Sequence, residues 1–105
     1  MAESQAAIKR IIKRYIKMMT AHKIRVDKVY LFGSFAKGTA GNDSDIDIAV
    51  VSKDFSGDRY DDRRLIVPLR RKIDRRLEPI PFRTDCFKAD DPMAREILER
   101  GIQIK

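Results

Sequence analysis

Gly33-Ser34-Phe35-Ala36-Lys37-Gly38-Thr39-Ala40-Gly41-Asn42-Asp43-Ser44-Asp45-Ile46-Asp47-Ile48-Ala49-Val50 is the stretch that decides the fold. It follows a short apolar run, Val29-Tyr30-Leu31-Phe32, which reads as a buried strand stopped by Gly33. Gly33 lets the backbone turn sharply, Ser34 to Lys37 reads as a short helix, and the breakers from Gly38 to Ser44 read as a loop. From Asp45 to Val51 the residues alternate as a second strand. Asp45, Asp47, Ala49 and Val51 point one way, while Ile46, Ile48 and Val50 point the other, so two carboxylates share one face over an apolar one.

Outward from this centre, the N-terminal side carries apolar residues at helical spacing from about Glu3 to Ala21: Ala7, Ile8, Ile11, Ile12, Tyr15, Ile16, Met18 and Met19. Lys9, Arg10, Lys13, Arg14 and Lys17 fall on the opposite face, the solvated face of a core helix. On the C-terminal side, Ser52 to Asp62 reads as a polar linker. Helical spacing then returns from about Arg59 to Glu78 through Leu65, Ile66, Leu69, Ile73 and Leu77, with a kink or break expected at Pro68. A third strand is expected to start at Pro79 and Pro81 and run through Phe87. Asp91 as N-cap and Pro92 in the first turn announce a helix that Gly101 ends, and Ile102 and Ile104 suggest a last short strand or a docked tail.

The 105 residues suit a single domain over 1–105, and the 43% hydrophobic and 37% charged fractions are those of a globular protein rather than a disordered one. Twenty-three Lys and Arg against 16 Asp and Glu leave a net charge of +7, which favours polyanionic company: a nucleoside triphosphate, nucleic acid or an acidic protein. The eight aromatic residues, three Tyr and five Phe, are not interleaved with the basic clusters. Direct nucleic-acid binding is therefore a secondary reading. One cysteine, Cys86, excludes an intrachain disulfide and a multi-cysteine zinc site and fits a reducing compartment. With no signal-peptide pattern at Met1-Ala2-Glu3 and no apolar run near the ~20 residues needed to span a bilayer, the expected location is the cytoplasm, away from membranes.

The strand, the Gly33-Ser34 turn and Asp45-Ile46-Asp47 ten residues later closely resemble the signature of the DNA polymerase β-like nucleotidyltransferase superfamily. Within it they resemble the minimal nucleotidyltransferases often paired with HEPN proteins. The close match spans Leu31 to Val51, and a looser one runs from about His22 to the end. The resemblance implies an α/β (α+β) nucleotidyltransferase fold, a small mixed sheet flanked by α-helices, with bound Mg²⁺, ATP as donor and transfer of AMP with release of pyrophosphate.

The chemistry suits these residue types. Mg²⁺ is a hard cation that takes oxygen ligands, and Asp45 and Asp47 offer two carboxylates close enough to bridge a pair of ions that steady the attacking and leaving oxygens of an in-line displacement. Gly33 and Ser34 are expected to lie against the phosphates, with Lys37 one turn later adding positive charge. The superfamily uses a third carboxylate on a later strand. Asp85 is the candidate, on the polar face of the expected third strand, and Asp74 is its rival on the middle helix. By strand parity Cys86 is expected to be a buried thiol, and the single histidine, His22, a polar residue ending the first helix.

So short a chain can build a metal and triphosphate platform but has little left to enclose an acceptor. By analogy, a HEPN-type toxin presents the acceptor hydroxyl and the chain is the antitoxin that modifies it. Two alternatives stand beside this: an antitoxin acting by contact with an idle site, and an enzyme acting on a small molecule or an RNA end.

Overall fold

The computed structural model describes residues 4–41 and 43–105, so the expected helix start at Glu3 and the loop residue Asn42 lie outside the described residues. The elements are α1 (Gln5–Ala21), β1 (Lys28–Phe32), α2 (Ser34–Lys37), β2 (Ile46–Ser52), α3 (Arg59–Ile66), a 3-10 turn over Val67–Lys72, β3 (Leu77–Arg83), a second 3-10 turn over Thr84–Cys86, α4 (Pro92–Arg100) and β4 (Ile102–Gln103). The four strands form one mixed sheet in the order β3-β2-β1-β4, in which β1 is antiparallel to β2 and β4 and β2 is parallel to β3. This is the mixed, helix-flanked sheet that the sequence led us to expect.

Helix α1 starts where Ser4 caps it, its hydroxyl accepting from Ala7 N at 3.2 Å, and ends at His22, whose Nδ1 lies 2.9 Å from the Met18 carbonyl. Its stripe of Ile8, Ile12, Tyr15 and Met19 is fully buried against Val29, Leu31, Ile46, Ile48, Val50 and Leu77 on one face of the sheet. Each of these large side chains, removed wholly from water, contributes about 1.5–3 kcal/mol. On the other face, Ala94 and Ile97 of α4 cover Tyr30, Ala49, Val51 and Phe82. The alternation of β2 thus feeds two cores, and Asp45 and Asp47 sit where the second runs out.

The expected long middle helix is not one helix. α3 stops at Ile66, because Pro68 has no N–H to give the Arg64 carbonyl; the chain tightens into a 3-10 turn and leaves helical geometry at Lys72. The buried Tyr15 hydroxyl takes up the Ile66 carbonyl at 2.5 Å.

The third strand likewise differs from expectation. It begins at Leu77, before both prolines, and ends at Arg83. β3 is an edge strand, and Leu77 and Pro79 turn their carbonyls to its open side, where Arg70 Nη1 donates to Leu77 O at 2.8 Å and Arg63 Nη1 to Pro79 O at 2.9 Å. A proline is tolerated there because no ladder bond is lost. Past Arg83 the chain turns, so Thr84, Asp85 and Cys86 are not strand residues, and Cys86 is exposed rather than buried.

Candidate active site

The site lies at the end of the sheet where β1 finishes and β2 and β3 begin. Phe32, the last residue of β1, is the register partner of Asp47, and Asp47 is in turn the partner of Glu78 on β3. Gly33 follows with φ 73° and ψ −153°, a conformation essentially confined to glycine. Its missing side chain matters as much as its backbone. A Cβ at Gly33 would stand 3.1 Å from Asp47 Cγ and 3.2 Å from Asp47 Cβ and would overlap Oδ2. The turn and the second aspartate are therefore packed together, with room for no added atom.

Asp45 lies one residue before β2 and is exposed, whereas Asp47 is half-buried. Burial raises the Asp47 pKa above its ordinary 3.8, and the negative charges of Asp45 and then Glu78 push it further the same way. Asp47 thus feels two other carboxylates, one from the loop before β2 and one from β3. Oxygen donors of this number and hardness suit Mg²⁺, and a divalent cation would relieve the repulsion that the fold builds in.

Glu78 was not anticipated. Its Oε1 accepts from Arg63 Nη2 at 3.0 Å and its Oε2 from Arg70 Nη1 at 3.3 Å. Among the described residues, no three acidic, histidine or cysteine side chains are gathered as a ready-made metal cluster. The Glu78 carboxylate is held by arginines instead.

The other expected residues fall as follows. Ser34 opens α2, with Gly33 as the residue before it, and Lys37 is an exposed residue in the last turn of that helix; neither side chain has a hydrogen bond or ion pair among the described residues. Lys37, Gly33, Phe32, Ala36, Glu96 and Arg100 line a cavity of about 110 Å³ between α2 and α4.

Asp85 is not brought to the site. β3 carries it away, since the five steps from Glu78 to Arg83 span about 17 Å at ~3.3 Å each. Asp85 stands beyond that far end, 69% exposed and paired with Arg83 Nε at 3.1 Å. Asp74 is not on a helix either; its carboxylate is taken by Arg76 at 2.8 Å, which lowers its pKa. A cavity of about 280 Å³ is lined by Arg70, Arg71 and Arg75.

The sheet, its order and its flanking helices define a nucleotidyltransferase fold. Residues 12–105 match the family described as Polymerase beta, Nucleotidyltransferase, and the chain belongs to that family. No curated protein matches it in sequence. Among solved structures it is similar to a candidate nucleotidyltransferase from Sulfolobus solfataricus, with 19% identity over 94% of this chain and 80% of the other and a TM-score of 0.65. It is also similar to a toxin–antitoxin with AMP-PNP (24% identity, 92% of this chain and 72% of that one, TM-score 0.60). A mutant of the toxin–antitoxin MntA-HpeT is a third likeness (22%, 89% and 71%, TM-score 0.62). At these identities the likeness is one of fold.

Proposed function

We propose that the chain transfers AMP from ATP to a hydroxyl presented by a partner protein, a HEPN-type toxin, and so acts as its antitoxin. Asp45, Asp47 and Glu78 would hold a pair of Mg²⁺ ions, with Glu78 in the part that the sequence assigned to Asp85. Bound there, the ions would supply charge neutralisation for the transferred phosphoryl group and for both oxygens of the displacement. Gly33 gives the phosphates close access to the backbone, Ser34 adds a hydroxyl, and Lys37 a cation at the rim.

The observation that carries this reading is the packing of Asp47 against Gly33, in register with Glu78 and in electrostatic contact with Asp45. Membership of the nucleotidyltransferase family supports the reaction class, and the likeness to toxin–antitoxin structures supports the partner. The test is to incubate the chain with Mg²⁺, ATP and the partner encoded beside it, and to weigh the partner. One or more added adenylates are expected, and an unmodified but inhibited partner would refute the transfer.

One observation favours a second reading. The cavity lined by Arg70, Arg71 and Arg75 is suited to a polyanion, as an RNA end would be, and labelled AMP appearing on RNA with no partner present would favour it. Among the described residues, no helix is long and apolar enough to cross a membrane. The cytoplasm is the proposed place of action under either reading.

A further inference from the structure

We propose that Arg63 and Arg70 are positioning residues that latch the Glu78 carboxylate away from the metal site until a divalent cation competes for it. The proposal rests on the reading of Asp45, Asp47 and Glu78 as metal-holding acids.

Glu78 is held from two elements at once, Arg63 coming from α3 and Arg70 from the 3-10 turn that follows it. Each guanidinium takes a different carboxylate oxygen, at 3.0 and 3.3 Å. Each is also tied to the backbone on one side of Glu78: Arg70 to the Leu77 carbonyl at 2.8 Å, Arg63 to the Pro79 carbonyl at 2.9 Å. Those carbonyls belong to a strand paired with β2 along its whole length, so each arginine keeps a backbone partner if Glu78 swings away. For Arg63 the planar fork matters, because Nη1 takes the Pro79 carbonyl while Nη2 takes the carboxylate, two rigidly spaced donors that one ammonium does not reproduce; Arg70 serves both acceptors from Nη1.

The latch is reversible by its energetics. The Arg63, Arg70 and Glu78 side chains are 33%, 28% and 33% exposed, and ion pairs so open to water are weak. Without a cation, turning Glu78 closer to Asp45 and Asp47 would strengthen a repulsion that Asp47 already feels from both of the other acids. With a cation the sign of that interaction reverses, and the carboxylate gains more from the metal than from the arginines. The same arrangement accounts for three acids that interact electrostatically yet form no ready-made cluster.

The experiment is a Mn²⁺ titration of the nucleotide-free protein, followed by the EPR signal of free Mn²⁺. R63Q and R70Q are expected to tighten Mn²⁺ binding about tenfold, the usual reach of a residue acting on a metal ligand from behind, and R63K is expected to tighten it as R63Q does. In the E78Q background the same arginine substitutions should change affinity less than about twofold, because there is no carboxylate left to release. Equal tightening in the wild-type and E78Q backgrounds would mean that the arginines act only through long-range charge, and would overturn the proposal.

Should an arginine variant fail to fold, the wild-type protein carries the test: the NMR signal of the Glu78 side-chain carboxyl carbon is expected to move on adding Mg²⁺ while the Arg63 and Arg70 Nε–H signals shift with it. Arginine signals unmoved by a saturating metal would overturn the latch. Failure of the underlying site is separate, since it would appear as Mn²⁺ binding unchanged by D45N with D47N.

Discussion

Gly33→Ala tests the central geometry, and Gly38→Ala supplies its control. The two glycines bracket α2 with nearly equal positive φ, 73° and 77°, so a substitution in either strains the backbone. Gly38, with ψ 17°, is in the left-handed helical region, and no atom lies within 4 Å of an added Cβ. Its replacement should cost about 1 kcal/mol, the ordinary penalty of that region for an L-residue. Gly33 adds two further burdens: a ψ of −153° that only glycine adopts readily, and a Cβ 3.1 Å from Asp47 Cγ that overlaps one of its oxygens. Backbone strain and overpacking together make about 3 kcal/mol for G33A. For a domain of this size that corresponds to a fall in Tm of roughly 12–24 °C, against roughly 4–8 °C for G38A. Thermal melting by circular dichroism reads both. The steric part should be relieved by removing its partner, so D47G placed in G33A should recover part of the loss. If G33A melts like G38A, or D47G recovers nothing, the turn does not abut Asp47 and the site as drawn is wrong.

Three further outcomes follow from the same contacts. Because the Asp47 pKa is raised on folding above 3.8, its contribution to stability is fully present below that value and is lost as pH rises through the folded-state value; the metal-free protein should therefore melt higher after Asp47→Asn at neutral pH, and Mg²⁺ should raise the wild-type Tm but not that of the variant. Glu78→Gln should cut nucleotidyl transfer by about a hundredfold while Asp85→Asn changes it less than about twofold, in initial rates with labelled ATP; equal losses would return Asp85 to the site. The buried carboxylate of Asp62 accepts from Ser56 N at 2.8 Å, Ser56 Oγ at 3.0 Å and Gly57 N at 3.0 Å, so Asp62→Ala should cost about 2–3 kcal/mol in urea unfolding by orphaning those donors.

What was legible in the sequence was whatever local chemistry decides. The parity of β2 follows from alternating residue types between Asp45 and Val51. The end of α1 falls at His22, and α4 starts where Asp91 caps it ahead of Pro92 and stops at Gly101. Gly33 and Gly38 stand where the backbone demands positive φ. In each case the residue that gives the signal also does the physical work.

Glu78 escaped because two local rules point the wrong way there. Leu69, Ile73 and Leu77 keep helical spacing, which carries Glu78 to the end of a helix, and Pro79 and Pro81 mark where a strand ought not to have begun. The tertiary fact that reverses both is that β3 is an edge strand, so its prolines face the open side and Leu77 becomes its first inward residue. Read with period two, Leu77, Pro79 and Pro81 form one face and Glu78, Ile80 and Phe82 the other. On that reading the acid falls on the face of Asp47, opposite it in register. Moving the strand's start by two residues thus moves the proposed third carboxylate from Asp85 at the far end of the sheet to Glu78, in register with Asp47, a consequence of parallel pairing that no window of residues contains.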